Sequence, residues 1–191
     1  LCVVVHAKAL TLVEFSMRTT WRWPRDHDES DLIVSEMDEV IPALVAAVQE
    51  QHATGDHYRD DAIRQAMEHQ AQLALRPGPV RVDVIVDPPW SDGQINSVQV
   101  VTGDRPFLVD TVASCLLRHG WRVEDVRHPI IGVKRDRGTI EAVGMPGRGG
   151  CASESWIHID ATAPLGTDIG QAAEQLRDDL CACLDLSLIH I

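Results

Sequence analysis

Three residues in the second half of the chain, His128, Glu154 and His158, have side chains that could bind a metal or transfer protons. On adjacent strands, two imidazoles and a carboxylate could converge on a zinc or catalytic site. The sequence lacks the helical His pair or the paired Cys spacing that is typical of zinc sites. His158 alternates with Ile157 and Ile159, which places it on one face of a strand. A structural or interface role is favoured, and an unrelated small enzyme that uses these three residues is the weaker alternative.

Two further segments resemble functional sites only superficially. The glycine-rich segment 144–150 would need a preceding strand, a following helix and regular glycine spacing to bind a dinucleotide, and Pro146 interrupts it. We predict a mobile loop there. Cys181 and Cys183 are two residues apart on a predicted helix and point in different directions. Neither redox chemistry nor metal binding is favoured for this pair, and Cys183 is assigned to the core.

Hydride transfer requires a nicotinamide site and groups that position the substrate. The sequence has no Rossmann glycine loop, and Lys8 and Lys134 are its only lysines. We therefore predict no catalytic, cofactor-binding or metal-binding residue in this chain.

Composition narrows the class of protein. The 191 residues are 45% hydrophobic and 24% charged, which is ordinary for a protein with a packed core. A formal net charge of -12 argues against nucleic-acid binding, because phosphate binding needs a basic surface. No apolar run approaches the ~20 residues that a membrane span requires. Five cysteines without framework spacing indicate reduced thiols and a cytoplasmic protein.

Hydrophobic periodicity predicts two helices, followed along the chain by a strand. Apolar residues at spacings of three and four predict one helix over 31–52, and a second over 57–75. Pro42 would break or kink the first helix, unless another helix begins there. Valines 80, 82, 84 and 86 alternate with other residues and predict a half-buried strand.

From Ser97 onward the predicted order is strand, helix, two or three strands, helix, which is most of a βαββαβ sandwich of the α+β class. Asp104 is the predicted N-cap of the first helix of this unit, with Pro106 in its first turn. Pro129 predicts a bend or an edge position in an extended segment from 121 to 134. The last helix buries Ile169, Ala173, Leu176, Leu180 and Cys183. The sandwich is expected to be incomplete at the C-terminus, so that one sheet edge is unpaired.

The predicted organisation is therefore a poorly defined segment 1–30, a helical segment 31–78 and a domain over 79–184. Residues 1–30 change character abruptly, and the chain begins at Leu1, so part of this segment is interpreted as lying upstream of the true start. The last six residues, 186–191, match the translation of a transposase sequencing adaptor and are interpreted as a tail foreign to the fold.

The segment 98–136 contains a strand, Asp104, a helix that starts with a PFLVD sequence, and a strand with His-Pro followed by Lys-Arg-Asp. The element Glu154-Ser155-Trp156-Ile157-His158 follows it. These ordered pieces resemble the N-terminal ACT-like domain of the large bacterial NAD-dependent glutamate dehydrogenases, over about residues 70–184 and most closely over 98–160. The residues that carry the resemblance are Pro106, Phe107, Leu108, Val109, Asp110, His128, Pro129, Arg135, Asp136, Glu154, Ser155, Trp156 and His158. Gly103-Asp104-Arg105 departs from the family, which usually has a short acidic run ending in Met there.

The resemblance implies a regulatory and assembly domain of an enzyme that converts L-glutamate, NAD⁺ and water into 2-oxoglutarate, ammonia and NADH. NAD would belong to the parent enzyme and not to this fragment. The implied partners are other domains and subunits of a homo-oligomer. In ACT domains the loop at Asp104, Arg105, Pro106 and Phe107 is where an amino-acid effector binds.

Effector-binding ACT domains usually have Gly after this Pro, however, so Phe107 favours a capping and core role. The alternative from another class is a free-standing amino-acid-sensing ACT protein.

Overall fold

The computed structural model describes residues 33–34, 41–47, 60–91 and 93–189. Its elements are β1 (Ile33–Val34), a helix α1 over 41–47, α2 (Asp60–Ala74), β2 (Val80–Ile85), β3 (Asn96–Gly103), α3 (Leu108–Arg118), β4 (Arg122–Arg127), β5 (Ile130–Asp136), β6 (Thr139–Gly144), β7 (Ala152–Thr162) and α4 (Ile169–Ile189). The predicted α+β class with an ACT-like arrangement is confirmed.

All strand pairs of the sheet are antiparallel, in the order β1-β6-β5-β7-β3-β2, and β4 also pairs with β7. β4 and β5 lie end to end along the same edge of β7, with His128-Pro129 between them. The Pro129 carbonyl accepts a hydrogen bond from the Trp156 amide at 3.0 Å, so pairing continues across the break. The interruption that Pro129 predicted is confirmed, since a proline cannot donate to the ladder.

Two hydrophobic clusters cover the two faces of the sheet. On one face α3 and α4 pack against Val98, Val100, Ile157 and Ile159. On the other face α1 and α2 pack against a cluster of sheet residues, Val101, Ile131, Val133, Ile140, Val143 and Trp156. Odd and even positions of β7 therefore face different helix layers, as the alternation of side chains in a strand requires. The helical segment that was predicted to precede the domain packs directly on its sheet.

The helix predicted over 31–52 is wrong at its start. Ile33 and Val34 form a short strand that pairs with Val143 and Ala142 of β6, and the following helix is described from residue 41. β-branched residues suit a sheet edge, and Pro42 lies within the described helical residues 41–47. The second helix and the strand of alternating valines are confirmed. Residues 1–32, 35–40 and 48–59, which include other parts of these predictions, lie outside the described residues.

The sheet edge that was expected to stay unpaired is occupied. In a βαββαβ sandwich the last strand pairs with the first, which is β3 here. β2, which precedes the unit in the chain, takes this position and pairs antiparallel with β3 from Val80↔Thr102 to Ile85↔Ser97. At the C-terminal end, α4 is helical through Ile189, which includes part of the segment interpreted as foreign.

Candidate functional site

The loop between β3 and α3 does not have the predicted cap. Asp104 is tied to β7 instead: its amide donates to the Ser153 carbonyl at 2.9 Å, and its Oδ1 accepts from Ser155 Oγ at 2.6 Å. α3 begins at Leu108, so the N-cap position belongs to Phe107, and no side chain of the described loop caps the helix. The predicted N-cap role of Asp104 is wrong because tertiary hydrogen bonds hold it outside the first turn.

Phe107 differs most from its prediction. Its backbone is in the left-handed region, with φ 66°, and its side chain is 72% exposed. The helix still uses its carbonyl, which accepts hydrogen bonds from the Thr111 amide at 2.9 Å and Thr111 Oγ1 at 2.8 Å. The predicted core role of Phe107 is therefore wrong. Leu108, the next residue, occupies the core at 2% exposure.

His128 lies beside this loop and completes a short hydrogen-bonded chain. Its Nε2 is 2.9 Å from Ser155 Oγ, which in turn donates to Asp104. Because the Ser155 hydroxyl gives its proton to the carboxylate, the imidazole nitrogen must donate to Ser155. Burial lowers the pKa of His128 to about 4, although the Asp104 carboxylate opposes that shift. His128 is thus a neutral donor that holds Ser155 and Asp104 in place.

Arg105 connects the same loop to the far helix. Its Nη2 donates to the Leu184 carbonyl near the end of α4 at 2.8 Å. Together with Asp104, which bonds to β7, Arg105 fixes the loop between a strand and a helix. Pro106, between these two anchors and Phe107, is exposed. The four residues predicted to bind an effector are therefore contiguous at the surface, and two of them already have internal partners.

Glu154 belongs to a different contact. Its carboxylate accepts two hydrogen bonds from Arg135, from Nε at 2.6 Å and from Nη2 at 3.0 Å. Arg135 also donates to the Ala74 carbonyl at the end of α2 at 3.0 Å. A bidentate pair of this kind is geometrically specific. It attaches the β5–β6 hairpin to β7 and α2.

His158 lies on the face of the sheet that α2 covers. Gln99 Nε2 is 3.2 Å from its Nδ1, and His158 Nε2 is 3.0 Å from Asp160 Oδ1. Gln99 can only donate from that atom, so the imidazole accepts at Nδ1 and donates from Nε2. Burial is the main cause that lowers the pKa of His158, and the charge of Arg127 adds to it. Asp160 also pairs with Arg127, and Arg127 with Asp125 at 3.1 Å. We call Asp125, Arg127, His158 and Asp160 the buried charge cluster.

The structure does not bring His128, Glu154 and His158 together. Each has a separate set of partners, in the loop chain, the Arg135 pair and the buried charge cluster respectively. Within the described ranges no group of three or more His, Cys, Asp or Glu residues is arranged to hold a metal ion. The small-enzyme alternative has no geometric support in this arrangement.

The remaining motif residues have structural positions. Leu108 and Trp156 are buried in the two hydrophobic clusters, while Asp110 and Asp136 are exposed. The glycine-rich segment connects β6 to β7 through local turns, without a helix after it. In the part of the chain that the structure describes, no helix combines the length and apolar character that crossing a membrane requires.

One contact between α3 and α4 was missed. Arg118 Nη2 lies 3.5 Å from the sulfurs of both Cys115 and Cys183. Cys183 is only partly buried, and Leu184 takes the core position that was predicted for it. The predicted apolar stripe was displaced by one residue at this end of α4. The only sequence signal is the presence of cysteines on both predicted amphipathic helices, Cys115 on the first and Cys181 and Cys183 on the last.

Comparison with known protein families agrees with this fold. The family described as "Glutamate dehydrogenase, ACT1 domain" matches residues 43–180. That range runs from α1 to α4 and includes the loop at Asp104 to Phe107. Comparisons with curated proteins and with solved structures gave no significant match. The family match covers well over half of the sequence, and the chain therefore belongs to the ACT1 domain family of glutamate dehydrogenase.

Proposed function

We propose that this chain is an N-terminal regulatory and assembly domain of an NAD-dependent glutamate dehydrogenase, and that it performs no catalysis itself. The parent enzyme converts L-glutamate, NAD⁺ and water into 2-oxoglutarate, ammonia and NADH in the cytoplasm. Membership of the ACT1 family supports the proposal that the parent enzyme is a glutamate dehydrogenase. The four described cysteines, all free thiols, are consistent with a reducing compartment.

Phe107 is the observation that carries the assembly role. An aromatic side chain that is 72% exposed gains little free energy from burial in its own domain. Its left-handed backbone adds a cost of about 1–2 kcal/mol for an L-residue. Aromatic residues that fill a partner's pocket contribute strongly to interfaces. Another domain or subunit of the same enzyme that covers Phe107 would gain the free energy of burying this side chain.

The test compares two exposed apolar side chains in the full-length enzyme. Phe107→Ala should lower the oligomeric mass measured by light scattering and change the dependence of NAD-linked activity on enzyme concentration. Leu165→Ala, at a position that is 98% exposed, is the matched control and should change neither. An unchanged mass and unchanged kinetics for Phe107→Ala would show that this loop is not an interface. Assays with NADP in place of NAD test the cofactor preference in the same preparations.

The same loop also supports a second role, the binding of an amino-acid effector. The first turn of α3 has no side-chain cap among the described residues, and such amides can hold a carboxylate. The exposed Asp104 could hold the ammonium group of the same ligand. Calorimetric titration with each of the twenty amino acids should then show binding that weakens in Asp104→Ala. Asp136→Ala, in the distant β5–β6 turn, should leave the binding unchanged. Absence of heat with every amino acid would exclude this role.

A further inference from the structure

The contact between α3 and α4 places two thiols around one guanidinium. Arg118 lies one turn after Cys115 on α3, and its Nη2 is 3.5 Å from Cys115 Sγ and 3.5 Å from Cys183 Sγ on α4. Hydrogen bonds from a charged donor stabilise negative charge on sulfur. Two sulfurs that each lie 3.5 Å from one donor atom are no more than twice that distance apart. They must approach each other to an S–S bond length of about 2.05 Å for a disulfide to form.

The two thiols differ in access to solvent. Cys183 and Cys115 both line an open groove with Asp110, Thr111, Ser114 and Arg118. Cys183 is partly exposed there, whereas Cys115 is only 2% exposed. Burial raises the pKa of the Cys115 thiol, which favours its protonated form, although Arg118 opposes that shift. An accessible sulfur beside a buried one is the arrangement in which the first is oxidised and the second resolves the product.

We propose that Cys183 and Cys115 form an oxidation site at which a hydroperoxide produces a disulfide between α3 and α4. The Cys183 thiolate attacks the peroxide oxygen and breaks the O–O bond, which gives a sulfenic acid and releases water or an alcohol after protonation. The Cys115 sulfur then attacks the sulfenic sulfur, and the hydroxyl leaves as water. Two thiols are oxidised and one peroxide is reduced. Arg118 is the positioning residue, because it holds both sulfurs.

The experiment uses the 191-residue chain with Cys2, which lies outside the described residues, replaced by serine. The reduced protein is treated with hydrogen peroxide, remaining thiols are alkylated, and the products are digested with trypsin without reduction. We expect a cross-linked product that contains Cys115 and Cys183, located by fragmentation because Cys181 lies in the same peptide. A cross-link only to Cys181, or disulfides only between chains, would overturn the proposal.

Three variants separate the site from general thiol reactivity. Cys183→Ser should abolish the cross-link, whereas Cys181→Ser, two residues away on the same helix, should preserve it. Arg118→Gln should slow formation of the cross-link several-fold. Because the Cys115 position is buried, a variant there could unfold. The alkylation rate of Cys183 relative to Cys181 in the unmodified protein is therefore a second measurement. A rate for Cys183 that is equal to or lower than the rate for Cys181, or an Arg118→Gln variant with unchanged kinetics, would contradict the assignment.

Discussion

The buried charge cluster and the loop at Asp104 to Phe107 use polar and aromatic residues in opposite ways. In the cluster, Arg127 and Asp160 are at most 8% exposed, and both pair with neighbours on the sheet. In the loop, Phe107 is 72% exposed and its backbone is strained. The ionisable side chains of the cluster are thus buried and paired within the domain, while an apolar side chain lies at the surface. Residue type alone would have assigned these two regions the opposite roles.

The largest effect on stability is expected from a substitution that removes the arginine of the buried charge cluster. Arg127→Ala leaves the carboxylates of Asp125 and Asp160 buried without their shared cation, and loss of one partner of a buried pair costs about 3–5 kcal/mol. We expect a large decrease in the free energy of unfolding, measured with urea. Arg122→Ala on the same strand, where the side chain is 74% exposed, should change it by less than about 1 kcal/mol. Similar values for the two variants would mean that the cluster does not stabilise the fold.

The second prediction concerns His128, which connects the loop to the sheet. A histidine whose pKa is lowered in the folded state from 6.5 to about 4 favours folding when it is neutral. Stability is therefore fully present above pH 6.5 and decreases as the pH falls towards about 4, by up to about 3 kcal/mol. His158 acts in the same direction, since its pKa is also lowered.

Urea unfolding between pH 4 and pH 8 measures this dependence. His128→Gln should remove part of the acid-side loss while it preserves a donor to Ser155. If the variant and the parent lose stability equally over this range, His128 is not buried in its neutral form.

The smallest effect on stability is expected in the loop, at Phe107. Phe107→Gly relieves the left-handed strain but gives the unfolded chain more freedom, so stability should be unchanged or rise by up to about 1 kcal/mol. Phe107→Ala keeps the strain and should show no such gain. Thermal unfolding of the two variants side by side measures the difference. A clear loss of stability in Phe107→Gly would indicate that the side chain packs within its own domain.

The elements with regular periodicity could be predicted from the sequence. Alternating valines in β2 and the amphipathic pattern of α3 both reflect burial on one side, which a local pattern encodes. The two-residue strand β1 is too short for a period to appear, and it depends on an exposed edge of β6. Its hydrogen bonds come from a segment more than one hundred residues away.

The site was harder to predict because long-range contacts determine it. Asp104 has the residue type of a helix cap, and a local rule assigned it that role. Its actual partner, Ser155, is fifty-one positions away in sequence. Arg118 likewise joins cysteines on two separate helices, a proximity that a pattern within either helix cannot contain.

The position of β2 has a consequence for the speed of folding. In a βαββαβ order, pairing between the first and last strands must close most of the chain into one loop. Here β3 pairs instead with β2, which precedes it in the chain and is joined to it by the short connection 86–95. The entropy lost in closing a loop grows with its length, and local contacts form faster than distant ones. We expect the β2–β3 hairpin to form early. Pairing of β7 with the other edge of β3 is then the slow step of folding.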